Sequence, residues 1–228
     1  MSIQQVAEGF MAEVSATPWL EWIAIFFAIA EVLLARNNNV LLYPAGILST
    51  ILFTYIFIQP KAGLYADAIL NVYYLVMSLY GWILWSKRKK NGTQLQISHN
   101  TRNDWAVTLC IAIGGWGVLY MLLTLVFPHM FAGYVISDVA VWDAFISATA
   151  WAGMWLLAKR KIENWVLLNI SNIVAIPVYM YKGMPFTACL TLFLFVIAVI
   201  GYYDWKKIYN INERLTAIDK NLATDQQH

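Results

Sequence analysis

Four carboxylates stand inside apolar runs of this chain: Glu31, Asp67, Asp138 and Asp143. An ionisable group in such a run is costly unless it faces a cavity or a partner. No Lys or Arg falls at comparable depth, so the excess of negative groups suits a cationic ligand or protonated carboxyls. Spacing gathers further polar and aromatic residues around them. Asp67, Asn71 and Tyr74 lie at i, i+4 and i+7, one stripe of a helix, and Trp165, Asn169 and Asn172 repeat that spacing. Asp143, Ser147 and Trp151 follow at i, i+4 and i+8, and Thr187 and Thr191 add a weaker pair. Carboxylates, amides and rings lining one space would bind a flat, hydroxylated, positively charged molecule. Rings stack on the flat part and attract the cation, while amides pair with hydroxyl or carboxamide groups. Each stripe also has a plainer use. Asn, Ser and Thr hydrogen-bond between packed helices, Asp67 and Asp138 stand near run ends where they meet water, and Trp165 would serve equally as an interfacial anchor. Glu31 and Asp143 are deeper, and a functional role is expected of them.

The elements that must position these groups are seven apolar runs, at residues 19–35, 40–58, 65–86, 105–127, 138–158, 164–181 and 185–205. The composition is 61% hydrophobic and 12% charged, with mean hydropathy +0.59, well outside the balance of soluble domains. Runs of about 20 apolar residues are the length of a membrane-spanning helix, and lipid leaves no alternative to a helix for such segments. Thirteen of the fifteen Lys and Arg residues fall after the first, third, fifth and seventh runs: Arg36; Lys87 to Lys90 and Arg102; Lys159 to Lys161; Lys206, Lys207, Arg214 and Lys220. Excess positive charge marks cytoplasmic flanks, so the alternation predicts seven crossings with the N-terminus outside and the C-terminus in the cytoplasm. One membrane domain then uses the whole chain of 228 residues. Residues 1–17 carry Glu8 and Glu13 and no basic residue, unlike a cleaved signal peptide. Ile3, Val6, Phe10 and Val14 recur at helical spacing, which predicts a short helix lying on the outer surface. The polar tail, 208–228, is expected to be a frayed cytoplasmic helix.

A repeat runs through the pattern. Gly63 leads to Gly81, Trp85 and Lys87 as Gly183 leads to Gly201, Trp205 and Lys207, each pair 120 residues apart. Arg36 is echoed by Lys159 to Lys161. These echoes predict an all-α membrane protein of SWEET-like, three-plus-one-plus-three architecture, with parallel repeats at 18–86 and 138–207 joined by a linker helix at 105–127. Repeats of this kind build transporters with the site between the halves. Pro44 and Pro177 would free backbone carbonyls within their helices, though they are not counterparts in the repeat. No GxxxxGK[ST] loop, HExxH pair or Cys-rich set occurs, and His99, His129 and His228 fall outside the runs. Cys110 and Cys189 lie within runs, which argues against a disulfide framework. The seventh run has no Lys before Lys206 to hold retinal. No catalytic residue, cofactor, metal or nucleic-acid partner is therefore expected.

Along nearly its whole length the chain resembles the PnuC family of bacterial vitamin transporters. The matching segments are EVLLARNNN and YPAG (Glu31 to Gly46), LYADAILN (Leu64 to Asn71) and YGWILW (Tyr80 to Trp85). The second half adds Asp143, ENW (Glu163 to Trp165), IPVY (Ile176 to Tyr179), Lys182–Gly183 and GxxxWKK (Gly201 to Lys207). The resemblance implies a multi-pass protein of the bacterial inner membrane, a homotrimer, and one substrate path through each subunit. It also implies facilitated diffusion of nicotinamide riboside, trapped by a cytoplasmic kinase. Members that carry this substrate have WxxW at the start of the sixth span. Here Leu168 replaces the second Trp, and Asn172 stands where an Asp is often found. The family's thiamine-carrying relatives are the next reading, and a ligand-gated channel or membrane sensor is the reading from another class.

Overall fold

The computed structural model describes residues 3–59, 65–87, 95–131 and 133–225. Gly63, Lys61 and the basic residues 88–90 lie outside them, as do the side chains of Asp67 and of residues from 219 onward. The helices are α1 (Ile3–Ala16), α2 (Trp19–Arg36), α3 (Leu42–Phe57), α4 (Tyr65–Ser86), α5 (Arg102–Met130), α6 (Ala140–Ala158), α7 (Asn164–Tyr181) and α8 (Pro185–Asp225). Their bounds follow the apolar runs closely, with one correction: Asp138 precedes α6 instead of lying inside it. The polar tail is helical, α8 continuing without a break to Asp225.

Three of these helices, Arg102–Met130, Ala140–Ala158 and Pro185–Ile218, are long and apolar enough to cross a membrane; a fourth span results if α1 and α2, bent by 105° at Pro18, count as one. This is a multi-pass membrane protein. Leu42–Phe57 is apolar but shorter. Pro44 sits in the first turn of α3, where no upstream carbonyl of that helix is lost, so it cannot bend the helix as expected. Pro177 lies inside α7.

Sequential neighbours pack side by side, α2 on α3 on α4 and α6 on α7 on α8. Contacts of α4 with α6 and of α8 with α2 join the two triplets into a ring. Helix α5 packs on α6 alone among its longer contacts and is otherwise bare, with 6% of its apolar window buried. Two π-helical turns, Cys110–Gly114 and Leu122–Val126, adjust its path.

The triplets are built alike. Ser49 Oγ donates to the Ala24 carbonyl at 3.1 Å, and Ser171 Oγ, 122 residues later, donates to that of Ile146 at 2.8 Å. Asn38 and Arg160, also 122 apart, both take φ of 52° in the turns after α2 and α6. The Tyr43 ring lies against Gly81 where a Cβ would overlap it, and the Trp165 ring lies against Gly201 in the same way. Only glycine permits these close helix approaches.

The basic end is knotted. Thr101 and Asp104 form a reciprocal cap at the start of α5, and the same carboxylate pairs with Lys161 at 2.9 Å and Lys159 at 3.4 Å. Residues 95–100 lie against the α6–α7 turn, with Ser98 N donating to Arg160 O and Ile162 N to Ser98 O, both at 3.1 Å. Charges that mark topology in the sequence thus also fasten α5 to the second triplet.

Candidate functional site

The ring encloses polar groups drawn from both triplets. Glu31, half-buried on α2, lies over Gly46 of α3; a Cβ on Gly46 would stand 2.5 Å from its Oε1. Among the described residues its carboxylate accepts no hydrogen bond and forms no ion pair. The Tyr74 hydroxyl of α4 is within electrostatic range of Glu31, of Tyr73 and of Tyr179 on α7. Glu31 also influences the Tyr43 hydroxyl. A carboxylate and three phenols from α2, α3, α4 and α7 therefore converge.

Several buried polar atoms here lack a partner: Tyr43 Oη, Ser78 Oγ, Asn169 Oδ1 and the indole nitrogens of Trp151, Trp155 and Trp165. Each costs free energy unless something pairs with it, on the order of 1–3 kcal/mol. They are contributed by helices of both triplets, α3, α4, α6 and α7.

Position 122 residues from Glu31 is Gly153, and position 122 from Gly46 is Leu168. Leu168 lies over Gly153, whose Cβ would stand 2.9 Å from Leu168 Cδ2. Large and small residues have thus exchanged helices between the triplets. Leu168, the departure from the WxxW pattern, occupies the place in its triplet that Gly46 holds beneath Glu31.

The predicted stripes fare differently. On α7, Trp165 is buried at 1% exposure, packed on Gly201 and edge-on to Trp205 with centroids 5.6 Å apart. Asn169 is half-buried, as is Asn172, whose side chain makes no hydrogen bond among the described residues. On α4, Asn71 and Tyr74 are half-buried, while the side chain of Asp67 falls outside the described residues. On α6, Trp151 stacks on Tyr73 at 4.3 Å and its carbonyl accepts from the Tyr73 hydroxyl at 3.1 Å. Ser147 is half-buried without a hydrogen bond. Asp143 requires a correction: Lys182 Nζ lies 2.7 Å from both its oxygens. A basic residue does reach this carboxylate, because the antiparallel α6–α7 pair brings the end of one helix beside the start of the other, a register that separate helix periods do not reveal. Asp138 accepts from the Tyr181 hydroxyl at 2.7 Å. Thr187 is engaged by the carboxylate of Glu13, which also accepts from the Phe186 and Thr187 amides at 2.8 and 3.2 Å and so caps α8. Thr191 bonds within its own helix, to Thr187 O at 2.8 Å.

Stripe reasoning missed Tyr43, Ser78 and Tyr179. Tyr43 and Tyr179 stand in the YPAG and IPVY segments, beside the two internal prolines, which is the only mark they carry. Below the polar groups, at the basic end, four rings run in series across the triplets: Tyr43–Trp85 at 5.2 Å, Trp85–Trp205 at 6.0 Å and Trp205–Trp165 at 5.6 Å. Trp85 Nε1 donates to Ala158 O at 3.1 Å and Trp205 Nε1 to Ala35 O at 2.9 Å. Arg36 Nε meets Asp204 Oδ2 at 2.6 Å. All three links join one triplet to the other.

Apolar helices packed in a ring, with buried polar atoms that lack a partner among the described residues and with cross-links between the triplets at the basic end and at Tyr73–Trp151, define a multi-pass membrane protein. The family model described as nicotinamide mononucleotide transporter matches residues 18–207. The chain belongs to that family, which is one of transporters and not of enzymes. It is similar to the nicotinamide riboside transporter PnuC of Escherichia coli K12, 22% identical over 204 residues that cover 82% of this chain and 84% of the relative. The Shigella flexneri protein of that name matches equally. In fold it is similar to a crystal structure of the vitamin B3 transporter PnuC, at TM-score 0.64 and 19% identity, over 90% of this chain and 88% of the other.

Proposed function

We propose that the protein carries a flat, cationic, nucleoside-like vitamin across the bacterial inner membrane, with nicotinamide riboside as the substrate. The observation that carries this reading is the carboxylate of Glu31, which lies over Gly46 within electrostatic range of Tyr74 and makes no hydrogen bond or ion pair among the described residues. An unpaired carboxylate inside a membrane protein favours a cationic occupant. Its phenol neighbours add faces for a flat ring. Asn71 and Tyr74 stand on the first triplet, and Asn169 and Asn172 on the second, so a molecule between them is held by both. Trp165, Trp151, Ser147, Asp143 and Asp67 complete the set of substrate-binding candidates, with Asp143 supplying field through its Lys182 pair. No cofactor or metal takes part.

The chain crosses seven times, N-terminus outside, in two parallel three-helix repeats around α5. The matched turns, serines and glycine approaches of the triplets support this plan. Transport is facilitated diffusion by alternating access: the triplets rock about the shared site, and a cytoplasmic kinase traps the product. Opening toward the cytoplasm parts Trp85 from Ala158, Trp205 from Ala35 and Arg36 from Asp204. The trimer comes from the family resemblance.

Thiamine is the second reading, and Leu168 favours it. A branched aliphatic side chain on Gly153 replaces an aromatic wall, which alters the ring the path accepts. Calorimetry on the purified protein compares the two. Binding of the riboside alone supports the first reading, binding of thiamine alone the second, and binding of neither removes both. Counterflow of labelled substrate against its gradient requires a carrier; its absence with binding intact would leave a channel or sensor.

A further inference from the structure

One stripe of α8 changes character along its length. Phe195, Val199 and Tyr202 of α8, with Val166, Asn169, Ile170 and Ile173 of α7, line a mostly apolar groove of about 310 Å³. Beyond Tyr203 the same stripe becomes Lys206, Lys207, Asn210 and Arg214, which line a second concavity of about 390 Å³ with no carboxylate in its lining. Tyr203, 65% exposed, borders both. The spacing 199, 203, 206, 210, 214 keeps these residues on one helix face. Asp204 is held by Arg36, and Glu213 stands beside Arg214 in the chain but does not line the concavity.

An apolar groove that ends in a cationic cup at a Tyr has the two-part form of a phospholipid. From Phe195 to Tyr203 the helix rises about 12 Å, and from Tyr203 to Arg214 about 16 Å. The first length accepts the upper part of an acyl chain and the second an anionic headgroup lying at the interface, where Tyr, Lys and Arg gather. Ile173, 57% exposed, and Val166, 41% exposed, show that no described residue covers the groove. Lys206 Nζ also stands 5.9 Å over the Tyr202 ring, which aims its charge along the stripe.

We propose that the α7–α8 groove holds one anionic phospholipid of the leaflet on the basic side, its acyl chain along Val199 and Ile170 and its phosphate on Lys206, Lys207 and Arg214. The charge complementarity is what selects an anionic headgroup over a zwitterionic one. Each cation near an anionic surface contributes about fivefold to tenfold, so three together are worth on the order of a hundredfold. Asn169, a candidate for substrate contact, also borders this groove, so the two sites share one residue.

Native mass spectrometry of the detergent-purified protein, titrated with phosphatidylglycerol and phosphatidylcholine of equal chain length, tests this. The expected result is retention of phosphatidylglycerol by the wild type at much lower lipid concentration. The Lys206→Gln, Lys207→Gln, Arg214→Gln variant loses that preference, and Val199→Trp, which fills the groove, loses both lipids. Equal binding of the two lipids by the wild type, or an unchanged preference in the triple variant, overturns the proposal. So does disulfide cross-linking between subunits through Tyr203→Cys in a Cys110→Ala, Cys189→Ala background in native membranes, since another copy of the chain would then occupy the groove. Gel filtration and circular dichroism of each variant separate loss of lipid from loss of fold.

Discussion

Replacing Trp85 by Phe removes one hydrogen bond between the triplets while keeping a ring of similar shape. Trp85 Nε1 and Trp205 Nε1 reach Ala158 O and Ala35 O at 3.1 and 2.9 Å, and both indoles are at most 2% exposed. A buried hydrogen bond of this kind contributes about 1 kcal/mol net. If these bonds exist only when the basic end is closed, each loss shifts the closed-to-open ratio by about fivefold, and loss of both by about thirtyfold. The shift can be read with Ser78→Cys, since Ser78 is fully buried in the interior of α4. In a Cys110→Ala, Cys189→Ala background, a membrane-impermeant maleimide is presented from the side bearing the basic residues. Labelling should quicken about fivefold in Trp85→Phe and about thirtyfold in the double variant with Trp205→Phe. The equivalent Trp205→Phe alone should match Trp85→Phe, because the two bonds are counterparts in the repeat. Unchanged labelling in the double variant, with the protein monodisperse, would refute the gate and leave the indoles as packing alone. Faster labelling from the opposite side would refute it as firmly, since the linked end would then not be the end that opens.

Glu31→Gln keeps the shape of the side chain and removes its charge. Affinity for the cationic nicotinamide riboside should fall by at least tenfold in calorimetry, while the uncharged dihydronicotinamide riboside should bind the variant and the wild type alike; equal loss for both would mean a structural role. Asn169→Ala and Asn71→Ala should each weaken binding by about tenfold, the worth of one hydrogen bond to a ligand, with the thermal midpoint held within a few degrees. Normal binding by both would move the site elsewhere. Gly81→Ala places a Cβ against the rigid Tyr43 ring and should cost about 1–3 kcal/mol, seen as a lower melting temperature. Gly153→Ala, whose new methyl meets the side chain of Leu168 at 2.9 Å and the Asn164 carbonyl at an ordinary 3.5 Å, should cost less.

Helix positions were legible because apolar length and the placement of Lys and Arg are both written along one dimension. The repeat was legible at Gly81, Trp85, Gly201 and Trp205, where small and indole residues recur at one interval. Its first two helices were not, since their interval is 122 and the matched features are a positive φ, a serine bond and a ring on glycine. Those involve unlike residues: Asn38 answers Arg160, and Tyr43 answers Trp165. The Lys182–Asp143 pair was hidden for a related reason, as contact between the ends of neighbouring helices depends on loop length and tilt. Glu31 was legible as a carboxylate at depth. Its seat on Gly46 and its neighbours Tyr74 and Tyr179 needed three dimensions.

What the two triplets share and what they do not divide by role. The shared positions, Ser49 with Ser171, Tyr43 with Trp165 and Trp85 with Trp205, all make contacts within the helix scaffold or between triplets. The positions that differ, Glu31 with Gly153, Gly46 with Leu168, and Asn71 with Thr191, turn their unlike groups on the interior or on helix-helix seams near it. The matched cross-links at Trp85 and Trp205 both lie at the basic end, so both hold that same end closed. Unlike linings give one side a charge and the other a row of amides. A nucleoside-like cation is itself two-sided, with a charged ring and a hydroxylated sugar, and would present each part to the triplet that can pair with it. Exchanging both unlike pairs, by Glu31→Gly and Gly46→Leu with Gly153→Glu and Leu168→Gly, would test this directly. If recognition depends on the asymmetry, the exchanged protein should fold but bind the ligand weakly, because the charge and the amides would then lie on the same side. Retained affinity would show that a carboxylate anywhere in the ring suffices.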